Sequence, residues 1–359
     1  MFSRKIERRH EWKSLIRNTL PDIKGVYFFY YRNDCDIIRL KNRKGSKMSI
    51  VENIQIFLEN IERIINENKP KALSYVDFAL TKGNTPICIS VGKDMYACSS
   101  KGNNRHEQED ATVLIKHPKN REFECLAVAD GVGGSKHGEK ASKIAVDMLN
   151  EEFCKLDIKN FSNKGLLKRN INAIIEKINK NIYKKYNGKA ATTLVFAIVC
   201  KTNTYIVNIG DSRAYFLDID GTVKQITEDD SLIMEDVKSG KVKKEDARFH
   251  QSSIWVLKSV GSEPFVEGRT YSIPNGYRQL MLCTDGLSDC LSTKQISNIM
   301  RSDSLRQIGE KLVFLAIDKD NISYLREGLV RNPKYGTILP GKDNVTVAVK
   351  EGNVERGER

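Results

Sequence analysis

Five aspartates of this chain stand at the edges of apolar runs: Asp110, Asp130, Asp211, Asp285 and Asp343. The run from Cys125 ends on Asp130, and Gly131, Gly133 and Gly134 follow within four residues. This pattern predicts a buried strand that delivers a carboxylate to a tight turn of bare backbone, good geometry for a hard divalent cation with oxygen ligands. The run from Gln279 repeats the theme before Asp285 and Gly286, with Asp289 close behind, and Asp343 enters a final strand. Arg105, Glu109 and Asp110 precede the strand Ala111–Ile115, and one cation beside two carboxylates offers anion-binding and metal-binding groups together. Singly, each of these aspartates is more often a turn residue than a ligand. Gathered at one end of a sheet they would repel strongly unless cations neutralised them. Few histidines and no paired cysteines point to magnesium or manganese rather than zinc.

The elements that must position these groups follow from composition and periodicity. A chain of 359 residues holds one large domain and a smaller one. Its 40% hydrophobic and 29% charged content is that of an ordinary soluble globular protein. No apolar run approaches the roughly 18 residues of a membrane span, and the charged first ten residues lack an apolar secretory core, so the expected location is cytoplasmic. The eight cysteines include no Cys-x-x-Cys pair, which argues against a disulfide framework or a structural zinc site. The net charge of +13 is uneven: residues 1–50 hold 13 Lys and Arg against 5 Asp and Glu, or +8. Such a bias suits an acidic protein partner, an anionic surface or nucleic acid, although a solvated face is the commoner explanation. No recognisable nucleic-acid-binding module accompanies it.

Residues 1–70 are expected to form a separate basic α+β extension, with strands at 26–31 and 36–40 and an amphipathic helix from 49 to about 68. Strands are expected at Pro86–Val91, Met95–Cys98, Ala111–Ile115 and Ala190–Cys200, with Tyr205–Leu217 continuing the same sheet and Asp220-Gly221 turning a hairpin. Apolar spacing places one helix around Ala141–Leu149 and another over Leu167–Ile182, both as core faces. Residues 228–270 are irregular and charged, with a short helix expected near Lys243–Phe249, and suggest a long surface insertion. Helices at Thr293–Met300 and Leu305–Asp318 precede the last strand. One distracting motif, Asp218-Ile-Asp220-Gly221-Thr222, is similar to the aspartyl nucleophile of haloacid-dehalogenase-type phosphatases. That fold requires a helix to follow, whereas Val223–Thr227 is extended in character.

Taken in order, Arg105-x-x-x-Glu109-Asp110, Asp130-Gly-Val-Gly-Gly134, Ala191-Thr-Thr193, Gly210-Asp-Ser-Arg213, Thr284-Asp-Gly-Leu-Ser-Asp289 and Asp343-Asn-Val-Thr-Val347 resemble the metal-dependent PPM, or protein phosphatase 2C-like, Ser/Thr phosphatases of bacterial type. The resemblance covers about residues 85–350, so the expected division is an extension at 1–70 and a phosphatase domain at 71–359. It implies an α+β fold, a four-layer α-β-β-α sandwich of two antiparallel sheets flanked by helix pairs, with two Mn2+ or Mg2+ ions, and a third weaker one, at one end. On matching positions it implies that Asp130 bridges two metals and that the Gly131 carbonyl binds one. Asp285 and Asp343 would complete the other, with Glu109 and Asp110 acting directly or through water. Asp211 and Asp289 match the third metal's positions, and Arg105 would clamp the substrate phosphate. The implied reaction is hydrolysis of phosphoserine or phosphothreonine by direct attack of a metal-bridging hydroxide. The implied partners are a phosphoprotein substrate and an opposing Ser/Thr kinase, with an acidic partner expected at the basic extension. Val132 stands where some members carry a histidine proposed as general acid, Gln108 replaces a common Asn, and Ala191 a common Gly. The competing expectation is a catalytically inactive scaffold that keeps the fold.

Overall fold

The computed structural model describes residues 74–75, 86–133, 135–157, 164–243, 247, 255–318 and 343–352. All belong to the larger of two units into which the chain divides, Arg32–Ile37 with Pro70–Arg359. The expected strands and helix of residues 1–70 lie outside the described residues, as does most of Lys243–Phe249.

In chain order the elements begin with β1 (Ser74–Tyr75), β2 (Ile87–Val91), β3 (Met95–Ser100), β4 (Asp110–Lys116) and β5 (Glu124–Asp130). Helices α1 (Gly138–Lys155) and α2 (Lys164–Tyr186) follow, then β6 (Leu194–Val199), β7 (Asn203–Ile209), β8 (Arg213–Leu217) and β9 (Val223–Gln225). The chain continues through α3 (Leu232–Lys238), β10 (Arg269–Pro274), β11 (Gln279–Cys283), α4 (Asp285–Ser288), α5 (Thr293–Ser302), α6 (Leu305–Ile317) and β12 (Val345–Glu351). One sheet runs β1-β4-β5-β6-β7-β10 and the other β2-β3-β12-β11-β8-β9, every pairing antiparallel.

Alternation along each strand explains the layering. Leu114, Leu126, Val128, Val195 and Ala197 of the first sheet meet Ala97, Ala214, Leu280, Leu282 and Ala348 of the second in one buried cluster. The intervening residues, such as Val113, Ala127 and Phe196, face Ala145, Leu149, Ile171 and Ile178 of α1 and α2. On the second sheet Met281, Cys283, Val347 and Val349 face Ile296, Met300, Leu312 and Val313 of α5 and α6. Strands buried on both faces read as unbroken apolar runs. Each fully buried Leu or Ile contributes about 1.5–3 kcal/mol relative to exposure. The result is the expected four-layer α-β-β-α sandwich. Helix α5 starts on a capping box in which the Gln295 N–H donates to Ser292 Oγ at 3.3 Å and the Ser292 N–H to Gln295 Oε1 at 2.8 Å.

The structure departs from the sequence expectations at four places. Tyr205–Leu217 does not continue one sheet: β7 pairs with β6 and β10, whereas β8 pairs with β11 and β9 in the other sheet. The chain changes sheets at Gly210, whose φ of +107° and 2.7 Å approach of a Cβ position to Thr193 leave no room for a side chain. Strand β6 begins only at Leu194, because Thr192 instead bridges Gly131 and Val260. The 228–270 stretch is not a surface insertion throughout, since Asp229, Asp230, Ser231 and Val260 are buried, its described helix is α3 and its end is the edge strand β10. Finally, Cys88 and Cys98 form a disulfide. They lie ten residues apart without a spacing signature, and only the β2–β3 register sets them directly opposite each other.

Candidate active site

Antiparallel pairing decides which strand ends meet. Asp130 at the end of β5 lies opposite Asp110 at the start of β4. Asp285 follows β11 and Asp343 precedes β12, the two strands being paired from Cys283–Val347 outward. Asp211 sits in the crossover from β7 to β8, and Arg213 pairs with Cys283 at this same end. Asp289 ends the single turn α4. One end of the sandwich therefore collects Glu109, Asp110, Asp130, Asp211, Asp285, Asp289 and Asp343, whereas Asp218 and Asp220 lie in the exposed turn between β8 and β9.

The local backbone is held by hydroxyl and amide side chains. The Asp130 N–H donates to Thr193 Oγ1 (3.0 Å), and Thr192 Oγ1 donates to the Asp130 carbonyl (2.8 Å). Thr284 Oγ1 donates to Asp110 Oδ2 at 2.9 Å. Asn344 Oδ1 accepts from the Glu109 N–H (2.8 Å), while its Nδ2 donates to the carbonyls of Lys101 and Glu107 (2.8 and 3.0 Å). One amide thus fixes the loop bearing Arg105 and Glu109 beside Asp343. A Cβ on Gly131 would lie 2.4 Å from the Gly138 carbonyl carbon, so only glycine lets the turn fold back under α1.

The electrostatics are one-sided. Burial pushes Asp130 and Asp110 well above the usual carboxylate range, and their acidic neighbours push further. Asp211 and Asp289 are raised well above it by burial and then by Asp285. Burial, followed by Asp343, lifts Asp285 to about 6. Arg105 answers part of this charge, its Nη2 donating to Asp343 Oδ2 at 2.7 Å and its Nη1 to Glu109 Oε2 at 3.3 Å. Arg213 is already taken by Asp229, through Nε at 3.0 Å and Nη2 at 2.7 Å. A cavity of about 20 Å³, room for one water or ion, is lined by Asp211, Asp229, Ser231, Asp285, Ser288 and Asp289.

Whether these groups suit a cation is tested by their unsatisfied atoms. Asp110 Oδ1 and Asp285 Oδ1 are buried without a hydrogen-bond partner, as are Ser231 Oγ and Ser288 Oγ beside the cavity. Among the described residues no three His, Cys, Asp or Glu side chains close around a single point. The carboxylates are gathered at one end, with Arg105 bound between Glu109 and Asp343. Buried oxygen donors, mutual repulsion and absent nitrogen or sulfur ligands fit a hard divalent ion. Sequence motifs contained Thr193, Thr284 and Asn344 without revealing their roles. Asp229 was missed as the partner of Arg213, since nothing in the sequence links residues sixteen apart across an irregular segment.

The fold and the site together define a four-layer α-β-β-α protein with a cluster of carboxylates at one end of two facing sheets. The family model for protein phosphatase 2C matches residues 100–323. A serine/threonine phosphatase stp of Listeria welshimeri is 32% identical over 264 residues, spanning 71% of this chain and 94% of the relative. Among solved structures, serine/threonine phosphatase Stp1 from Staphylococcus aureus superposes with a TM-score of 0.62 at 26% identity, covering 76% of this chain and 99% of that one. A PstP catalytic domain in complex with two manganese ions shares the fold at 23% identity and a TM-score of 0.55, covering 75% and 99%. This chain belongs to the protein phosphatase 2C family and is a protein serine/threonine phosphatase of the bacterial PPM type. No helix among the described residues is long and apolar enough to cross a membrane.

Proposed function

We propose that the enzyme removes phosphate from phosphoserine and phosphothreonine with Mn2+ or Mg2+ held at the acidic end of the sandwich. The observation that carries this reading is the pair of buried, partnerless carboxylate oxygens, Asp110 Oδ1 and Asp285 Oδ1, among further carboxylates. Asp130, with the Gly131 carbonyl, Asp285 and Asp343 would hold two ions, Glu109 and Asp110 supporting them directly or through water. Asp211 and Asp289, which line the small cavity, would hold a third. Bound there, such ions supply Lewis acidity and a water acidic enough to act as nucleophile near neutral pH.

The remaining roles belong to the chain itself. Arg105 spans two oxyanions with its two Nη groups, and that fork suits two oxygens of a substrate phosphate once the carboxylates are neutralised. Asn344 keeps the Arg105 loop in register with Asp343. Val132 has no proton to give, so the leaving hydroxyl takes its proton from solvent water. A catalytically inactive scaffold would have no need of Arg105 together with this full set of carboxylates. Hydrolysis of a phosphothreonine peptide is expected with Mn2+ and is expected to vanish in EDTA. Full turnover in EDTA would remove the reading.

The boundary near residue 70 supports a further proposal, that residues 1–70 form an extension distinct from the phosphatase domain at 71–359. The +8 charge of its first fifty residues supports docking of an acidic partner, such as the phosphoprotein substrate or an opposing Ser/Thr kinase. Deleting 1–70 should leave turnover of a small phosphate ester unchanged while lowering turnover of the protein substrate. An equal loss on both would assign the segment to structure alone. A phosphoprotein substrate supports a cytoplasmic signalling role, and the Cys88–Cys98 disulfide counts against that compartment. Cell fractionation decides between them.

A further inference from the structure

A group of lysines rims the acidic end on the side of the glycine turn. From Lys177 to Lys189 the chain carries five lysines and no acidic residue. Lys184, Lys185 and Lys189 are exposed at the end of α2 and just beyond it, and Lys136 is exposed within the turn that leads from Asp130 to α1. Four contacts link these lysines to one another and to the turn beside Arg105. The Lys136 N–H donates to the Lys189 carbonyl at 3.1 Å. The His137 ring lies against Tyr186, with centroids 5.2 Å apart, and Tyr186 carries Lys185 over its own ring. The Cβ position of Gly133, three residues before Lys136, is 3.5 Å from the Arg105 guanidinium. Among the described residues none of Lys136, Lys184, Lys185 and Lys189 has an ion-pair partner, whereas Lys177 on the same helix is held by Glu152 at 2.7 Å.

The contrast with the interior gives this rim a consequence. Asp343 and Glu109 stand partly exposed at the mouth, so an acidic peptide chain approaching Arg105 meets like charge there. Four cations with no carboxylate partner among the described residues stand on the glycine-turn side of the mouth, and their attraction for acidic residues flanking a bound phosphoresidue is screened over a Debye length of roughly 10 Å at 0.1 M salt. Resting on the phosphatase reading above, we infer that this rim selects phosphoproteins whose phosphorylated residue is flanked by Asp and Glu. These lysines all belong to the larger unit.

The test uses the full-length protein with Mn2+ and three substrates: a small phosphate ester, a phosphothreonine peptide flanked by Asp and Glu, and the same peptide flanked by Ser and Ala. At low ionic strength kcat/KM for the acidic peptide should exceed that for the neutral one by about tenfold, and the advantage should shrink as salt rises past roughly 0.3 M. The triple variant K136E/K185E/K189E should lose the advantage through KM while its kinetics on the small ester stay unchanged. The charge-neutral K136Q/K185Q/K189Q should fall between. Equal kcat/KM for the two peptides, or an advantage that survives charge reversal, overturns the inference. So does cosedimentation with phosphatidylserine vesicles without any peptide preference, which would assign the rim to an anionic membrane surface. Failure to hydrolyse even the small ester with Mn2+ would remove the phosphatase reading itself and this inference with it.

Discussion

At one end of the sandwich Lys116 and Lys350 meet Asp94 and Glu124; at the other, Asp130 and Asp285 face further carboxylates, with Arg105 beside them. The same strands build both ends: β4 runs from Asp110 to Lys116, β5 from Glu124 to Asp130, and β12 rises from beside Asp343 to Lys350. At the balanced end Lys116 Nζ lies 2.8 Å from both Asp94 and Glu124. Lys350, almost fully buried at 1% exposure, pairs with Glu124 and, at 3.2 Å, with Asp94. Burial opposes ionisation of Asp94, but hydrogen bonding and charge from Lys116 and Lys350 outweigh it and hold its carboxyl below the ordinary range. Burial shifts the acidic end the other way, and no local cation reverses it. Burial alone therefore does not mark a functional carboxylate. A closed ion network reads as structure, and a buried cluster left one-signed reads as a site awaiting charge from outside.

Three substitutions break or sharpen this contrast. The largest effect is expected from Asp130→Asn, which removes the proposed bridging carboxylate while keeping its shape. Mn2+-dependent kcat should fall by about a thousandfold or more, with little change in the metal-free unfolding curve of the kind a core defect would cause. Wild-type turnover in this variant would sink the assignment of Asp130.

Lys350→Ala strikes the balanced end and should have the opposite profile. Leaving buried Glu124 and half-buried Asp94 beside a single lysine should cost about 3 kcal/mol in urea unfolding. The surviving folded enzyme should keep kcat on a small ester within about twofold. A stable variant with impaired turnover would show that the far end serves catalysis.

The smallest and most diagnostic change is Asp285→Asn in metal-free protein. The carboxyl of Asp285 is raised to about 6 in the fold, against about 3.9 in an unfolded chain. The folded state therefore holds a proton more tightly, and stability falls as pH rises from about 4 to 6, by a total on the order of 3 kcal/mol. Asn carries no charge, so the variant should be more stable than wild type above pH 6 and nearly equal to it near pH 4. Added Mn2+ should reverse the order at pH 7.5, raising the Tm of wild type more than that of the variant. Loss of stability at every pH without metal would mean that Asp285 is a structural group.

The apolar runs and the residues that terminate them were legible in the sequence because a strand buried on both faces, or a helix buried on one, leaves a local periodic record. That record was enough for the strands β2 to β5 and the helices α1, α2, α5 and α6, whereas the layered class of the fold came from the family the motifs resemble. The motifs around Arg105, Asp130, Asp211, Asp285 and Asp343 were legible for the same reason, since each carboxylate sits within a few residues of the apolar run that positions it. What only the tertiary structure decided depends on register and on contacts between distant segments. The split of Tyr205–Leu217 between two sheets hangs on one glycine conformation at Gly210. The Cys88–Cys98 bond hangs on which residues a hairpin sets opposite each other. The capture of Arg213 by Asp229, the bracing of the Arg105 loop by Asn344 and the neutrality of the Lys350 end all join residues whose separation in sequence carries no signal. Local pattern specifies which residues stop a strand; the pairing of strands determines which of those stops face one another, and with it whether a buried charge is balanced or left for a ligand to answer.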